Sequence, residues 1–201
     1  MITVLASTAL VLGVARLAIF VALHVVRSDY NVVEHAVSDY AVGRTRTLSS
    51  IMTWITSLFW LAIAASAWAA FPQWNDLGGV VTCLIVLAVI FAILPFLPTD
   101  LEGAASTTVG RLHMVAAIAW FALSYACMGN FVRLLLPAVP DLLASVLLIL
   151  SWVALISLIA LVAALVVPPS RRYVFGIAER IFILSITLFY ISVPIAILAT
   201  S

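Results

Sequence analysis

The chain has 201 residues, 66% of them hydrophobic and 8% charged, with a mean hydropathy of +1.31. Soluble domains carry about 25% charged residues, so this composition excludes a water-soluble globule. The formal net charge is +1 and all nine basic residues are arginine, which leaves no electrostatic footprint for nucleic acid.

A membrane-spanning helix needs about 20 mostly apolar residues, and six segments meet that length. The first is 2–26; it lacks a basic n-region and is longer than the apolar region of a signal peptide, so it reads as a retained helix. The second, 49–71, is ended by Pro72, and the third, 79–97, by Pro98, with Pro95 bending its last turn. The fourth is 112–136, closed by Pro137. The fifth is 142–167, closed by Pro168 and Pro169. The sixth is 178–199 and has Pro194 inside it. The short second and fourth connections make successive helices antiparallel neighbours. The expectation is one all-α membrane domain over 1–201, a bundle of six transmembrane helices.

Charge is distributed unevenly between the two ends. Arg27, Arg44, Arg46, Arg111, Arg171, Arg172 and Arg180 lie in or beside the first, third and fifth connections, and only Arg133 lies in or beside the others. Arginine-rich connections stay cytoplasmic, which puts both termini outside. Asp29, Glu34, Asp39, Asp100, Glu102 and Glu179 follow the arginines, as do all three histidines; Asp76 and Asp141 lie opposite. Positive-inside insertion does not explain the acids, which contribute little to orientation. The first, third and fifth connections are therefore expected to form one site, with His35, Asp39, Asp100, His113 and Glu179 around a shared cavity.

The stretch Glu34–Tyr40 is the most polar window. His35, Ser38 and Asp39 are spaced i, i+3, i+4, so in a helix they would share a face. Imidazole, hydroxyl and carboxylate together suit acid–base work, metal ligation or polar binding. The same spacing also suits a short helix capped by Ser38 or Asp39 with His35 in solvent. After the third helix come Pro98, Thr99 and Asp100, and Thr107, Thr108, Gly110, Arg111 and His113 lead into the fourth. Such a helix start can hold an anion, or it can be capped by Thr107 or Thr108 with Arg111 at the headgroups. Gly176, Glu179 and Arg180 open the sixth helix, where an acid favours the helix dipole and Arg180 either snorkels or pairs inward.

Arg16 lies roughly 12 Å deeper than His24, at 1.5 Å per residue. An arginine there costs about 2.5–3.5 kcal/mol on insertion scales, so it should face the bundle interior with a partner. The candidates are an incoming carboxylate, Tyr125, Asn130 or backbone carbonyls. Trp54 and Trp74 suit the membrane interfaces, whereas Trp60, Trp120 and Trp152 suit internal packing. Cys83 and Cys127 sit in apolar runs and read as small packing residues.

The chain resembles an uncharacterised family of prokaryotic membrane proteins, domain of unknown function 998. The resemblance rests on His35-Ala-Val-Ser38-Asp39-Tyr40, where members often read His-Pro-Val-Ser-(Asp or Glu)-Tyr. It also rests on Phe96-Leu-Pro98-Thr99-Asp100, on Gly110-Arg-Leu-His113 and on Gly176-Ile-Ala-Glu179-Arg180. It implies a six-helix bundle in a prokaryotic plasma membrane and supplies no activity.

The functional expectation is a polar site at the cytoplasmic membrane face, serving a lipid-directed or metal-dependent hydrolase or a binding protein for a lipid-like or small-molecule ligand. Its chemical candidates are His35, Ser38, Asp39, Asp100, His113 and Glu179. Its binding candidates are Arg16, His24, Tyr40, Thr99, Arg111 and Arg180. A zinc ion would draw on His24, His35 and His113. The alternatives are an accessory subunit that docks a partner, and a small transporter or proton path built on Arg16, Pro95 and Pro194. The second and fifth helices carry no ionisable residue within the membrane, which weighs against a path.

Overall fold

Each of the six apolar segments is a helix in the computed structural model, which describes residues 1–26, 30–101 and 105–200. Arg27, Asp29 and Glu102 lie outside the described residues. The helices are α1 (Ile2–Val25), α2 (Arg46–Ala70), α3 (Leu77–Ile93), α4 (Thr108–Leu135), α5 (Asp141–Val166) and α6 (Pro168–Thr200). Short 3-10 turns occupy Val37–Ala41, Gly43–Thr45 and Leu94–Phe96. The described residues contain no strand. All six helices are long and apolar enough to cross a membrane, and the chain is a multi-pass membrane protein.

Neighbours in sequence are neighbours in space, and α6 closes the ring against α1. It also reaches α2 and α4. In its most apolar window α6 is 67% buried, against 22% for α5, so α6 is the central helix and α5 faces outward. Trp152 on α5 is 62% exposed, which corrects its expected packing role, whereas Trp60 and Trp120 are buried. In lipid, outward apolar side chains carry no penalty, so hydrophobicity alone does not tell an inward tryptophan from an outward one.

On α1 the buried positions are Ala6, Ala9, Gly13, Arg16, Phe20 and Leu23, alternately three and four residues apart. Gly13 sits where α1 meets α2 and α6. A Cβ there would lie 2.7 Å from the Ile191 side chain and 2.9 Å from that of Phe59.

The largest correction concerns α6. It begins at Pro168, ten residues before the expected start, so Val167 alone separates it from α5. Pro168 and Pro169 open a helix because its first residues need no backbone N–H. With 33 residues at 1.5 Å each, α6 is about 50 Å long and exceeds a hydrocarbon core of about 30 Å. One or both of its ends therefore project beyond that core, and its first turns carry Arg171 and Arg172.

Candidate functional site at the loop-bearing end

The first connection seats on α6 through backbone contacts. At Gly176 an added Cβ would lie 2.6, 2.7 and 2.8 Å from the carbonyl oxygens of Val32, Val33 and His35. Only a residue without a side chain lets the loop come so close. The Gly176 N–H donates to the Val33 carbonyl at 3.1 Å. One turn on, the Val37 N–H donates to Glu179 Oε2 at 2.6 Å, and Arg180 Nη1 donates to the His35 carbonyl at 2.8 Å. Arg180 Nε donates to His24 Nε2 at 2.9 Å, and its guanidinium lies 5.8 Å from the centre of the Tyr40 ring. Asp39 Oδ2 accepts the Ala36 N–H at 3.1 Å, which starts the 3-10 turn.

A second joint links the third connection to α4. Asp100 accepts the Thr107 N–H at 2.7 Å and its hydroxyl at 2.8 Å. Thr107 Oγ1 in turn caps α4 by accepting the Gly110 N–H at 3.0 Å. The Asp100 carboxylate fills the space where a Gly110 side chain would stand. The two bonds from Thr107, the backbone one first, hold the Asp100 carboxyl below the ordinary aspartate value of 3.8. His113 Nδ1 meets the Leu97 carbonyl at 2.7 Å, so that nitrogen carries the proton.

Between the joints lies a cavity of about 160 Å³ to which all six helices contribute. Ser38, Asp39, Thr99, Asp100, His113, Glu179 and Arg16 line it, together with Glu34, Arg46 and Arg171. His24, His35, Tyr40, Arg111 and Arg180 do not. The 3-10 turn explains the separation of His35 from Ser38 and Asp39. Ala36 is extended, at φ −67° and ψ 155°, so the helical register linking residues 35, 38 and 39 is broken. The His35 ring lies tilted against Tyr30, with ring centres 5.5 Å apart, and its Nδ1 accepts the Asn31 N–H at 3.1 Å. Tyr40 is packed between His24 and Tyr30, and Arg111 is exposed.

The three imidazoles are not gathered on a common point. His24 has both nitrogens engaged: Nδ1 meets the Phe20 carbonyl at 2.7 Å, and Nε2 accepts from Arg180. Among the described residues no three His, Cys, Asp or Glu side chains form a metal-binding group.

Arg16 lies at the inner end of the cavity and is 4% exposed. Its Nε donates to Thr56 Oγ1 at 3.0 Å, and its Nη1 donates to Thr187 Oγ1. Neither threonine was among the expected partners. Asn130 instead accepts from Arg133 near the opposite end. The sequence reading also missed a polar row on α2. Arg46, Ser49, Thr53 and Thr56 follow one another at intervals of three, four and three residues, one helical face leading to Arg16. That periodicity is visible in the sequence, but placing the helix start at residue 49 separated Arg46 from it.

The apolar part of the lining includes Met114, Ile118 and Phe121 of α4 and Leu165 of α5. Met114, Ile118 and Leu165 are also 43%, 54% and 38% exposed. Lining side chains of α4 and α5 therefore also reach the outer surface of the bundle.

The fold is that of an all-helical multi-pass membrane protein, with a cavity lined by both polar and apolar side chains near one end of its bundle. The chain belongs to the family described as protein of unknown function (DUF998), whose model matches residues 10–196. No curated protein and no solved structure matches it.

Proposed function

We propose that the protein binds an amphiphile taken from the membrane, and that the loop-bearing end faces the cytoplasm. One observation carries the binding reading. The cavity joins polar side chains, mostly from α2, α6 and the 3-10 turn at Val37–Ala41, to apolar ones of α4 and α5, and Met114, Ile118 and Leu165 among the latter also reach the outer surface. A ligand with a polar head and an apolar tail matches both parts of the lining, whereas a water-soluble solute matches only one. Seven arginines against one support the cytoplasmic placement.

The test is lipid analysis of the full chain purified in a neutral detergent, beside its Ile118→Trp variant. The expected result is one lipid class enriched over the bulk membrane and lost when tryptophan crowds the apolar lining. Bulk lipid alone, unchanged by Ile118→Trp, would refute the binding reading. Reporter fusions after Ser201 and within residues 43–47 test the orientation. A C-terminal fusion active only in the cytoplasm would reverse it.

A further inference from the structure

The charges around the cavity are not equally committed. Glu179 accepts from Val37, Asp39 from Ala36 and Asp100 from Thr107, so each of these acids holds backbone at a joint. Arg16 is different. Its two bonded partners are neutral hydroxyls, and each hydroxyl donates its own proton to a carbonyl of its own helix, Thr56 to Met52 and Thr187 to Ile183. The one ion pair within 4 Å among the described residues joins Arg133 and Asp76, near the other end of the bundle. Arg16 is thus a buried cation beside a cavity, without a paired carboxylate among the described residues.

A guanidinium removed from water needs compensating negative charge or many dipoles around it. Two hydroxyls accept from Nε and Nη1, and the side chain, whose Nη2 makes no hydrogen bond to a described residue, lines the cavity. The α2 row of Arg46, Ser49 and Thr53 provides a polar approach from the exposed Arg46 to this point. A guanidinium nitrogen with unused N–H donors matches an oxygen of a carboxylate or a phosphate ester.

We propose that Arg16 receives the anionic head of the ligand, a carboxylate or a phosphate ester, while the tail runs along Met114, Ile118 and Leu165 toward the lipid. This rests on the amphiphile reading above and specifies its ligand as an anion.

The test uses the full chain in neutral detergent and four probes: oleate, oleyl phosphate, oleyl alcohol and inorganic phosphate. Binding is read by native mass spectrometry and by competition. The wild-type protein should bind oleate or oleyl phosphate at least about tenfold more tightly than the alcohol, the factor expected from one charge-assisted contact. Arg16→Gln should remove that preference, and Arg16→Lys should keep part of it. Equal affinity of the wild type for the alcohol and both anions would overturn the Arg16 assignment and leave the amphiphile reading standing. This comparison needs no variant, so it decides the matter even if Arg16→Gln does not fold. Failure of all three oleyl probes, with inorganic phosphate also silent, would overturn both readings. Binding of inorganic phosphate as tightly as oleyl phosphate, lost in Arg16→Gln, would uphold the anion site and make its ligand a soluble anion rather than a lipid.

Discussion

The joint on α6 and the joint on α4 are built from the same parts. Each has a glycine on the helix against which the loop rests, an acid that accepts a backbone N–H, and a side-chain nitrogen that donates to a loop carbonyl. On α6 these are Gly176, Glu179 and Arg180; at α4 they are Gly110, Asp100 and His113. They differ in what stands against the glycine and in how much water reaches the acid. Gly176 is covered by three backbone carbonyls, and Glu179 is 6% exposed. Gly110 is covered by one carboxylate side chain, whose partner Thr107 is exposed. A backbone cannot turn aside, but a carboxylate can swing into solvent. The α6 joint should therefore be rigid and the α4 joint adjustable, although both belong to motifs of similar appearance.

The largest expected effect tests the rigid side. Gly176→Ala places a methyl group under 3.0 Å from the carbonyls of Val32, Val33 and His35. Relief requires lifting the first connection off α6, which endangers the bonds from Val37 to Glu179 and from Arg180 to His35. The overpacking cost is expected at about 3 kcal/mol or more because three backbone carbonyls must move, which outweighs the roughly 1 kcal/mol that alanine gains over glycine in a helix, and the net loss is read as a lower thermal unfolding midpoint in detergent. An unchanged midpoint would show that this joint adjusts as freely as the other.

Glu179→Ala comes next, because it leaves the buried Val37 N–H without an acceptor. A loss of about 2 kcal/mol is expected from that group alone. Glu179→Gln keeps an oxygen in the same place and should lose less than half as much. If both variants lose equally, the carboxylate charge rather than the hydrogen bond holds the loop.

The contrast between these joints also marks where the sequence stops being legible. Six helices and a polar end follow from spans and arginine placement, because a bilayer enforces span length and insertion enforces charge. Of the five residues expected around one cavity, Asp39, Asp100, His113 and Glu179 line it and His35 does not, while Ser38 and Arg16 line it as well. The three histidines do not meet, since a break in backbone register at Ala36 turns His35 toward Tyr30, and one-dimensional spacing cannot register such a break. The Arg16 partners were missed for another reason. Threonine is common in apolar helices, and Thr56 and Thr187 become distinctive only when α2 and α6 bring them to one point. The roles of Gly176 and Gly110 are equally tertiary, because each depends on which backbone or side chain approaches from another segment.

The smallest effect belongs to the α4 joint, where pH separates charge from shape. The folded state holds the Asp100 carboxyl below its ordinary value of 3.8, so the folded chain releases this proton more readily than the unfolded chain. Such a group contributes stability above the unfolded value, and the contribution is lost as pH falls through the lower folded value. Asp100→Asn removes the charge and keeps the size. Its unfolding midpoint should lie slightly below that of the wild type at neutral pH, and the gap should close as the pH falls below about 3.8. Gly110→Ala should act through the same contact by pushing the carboxylate away from Thr107. Its cost is offset by the roughly 1 kcal/mol that alanine gains over glycine in a helix, so its midpoint should stay near that of the wild type. A large loss in Gly110→Ala, matching Gly176→Ala, would mean that the Asp100 carboxylate cannot swing aside, and the two joints would then be equally rigid.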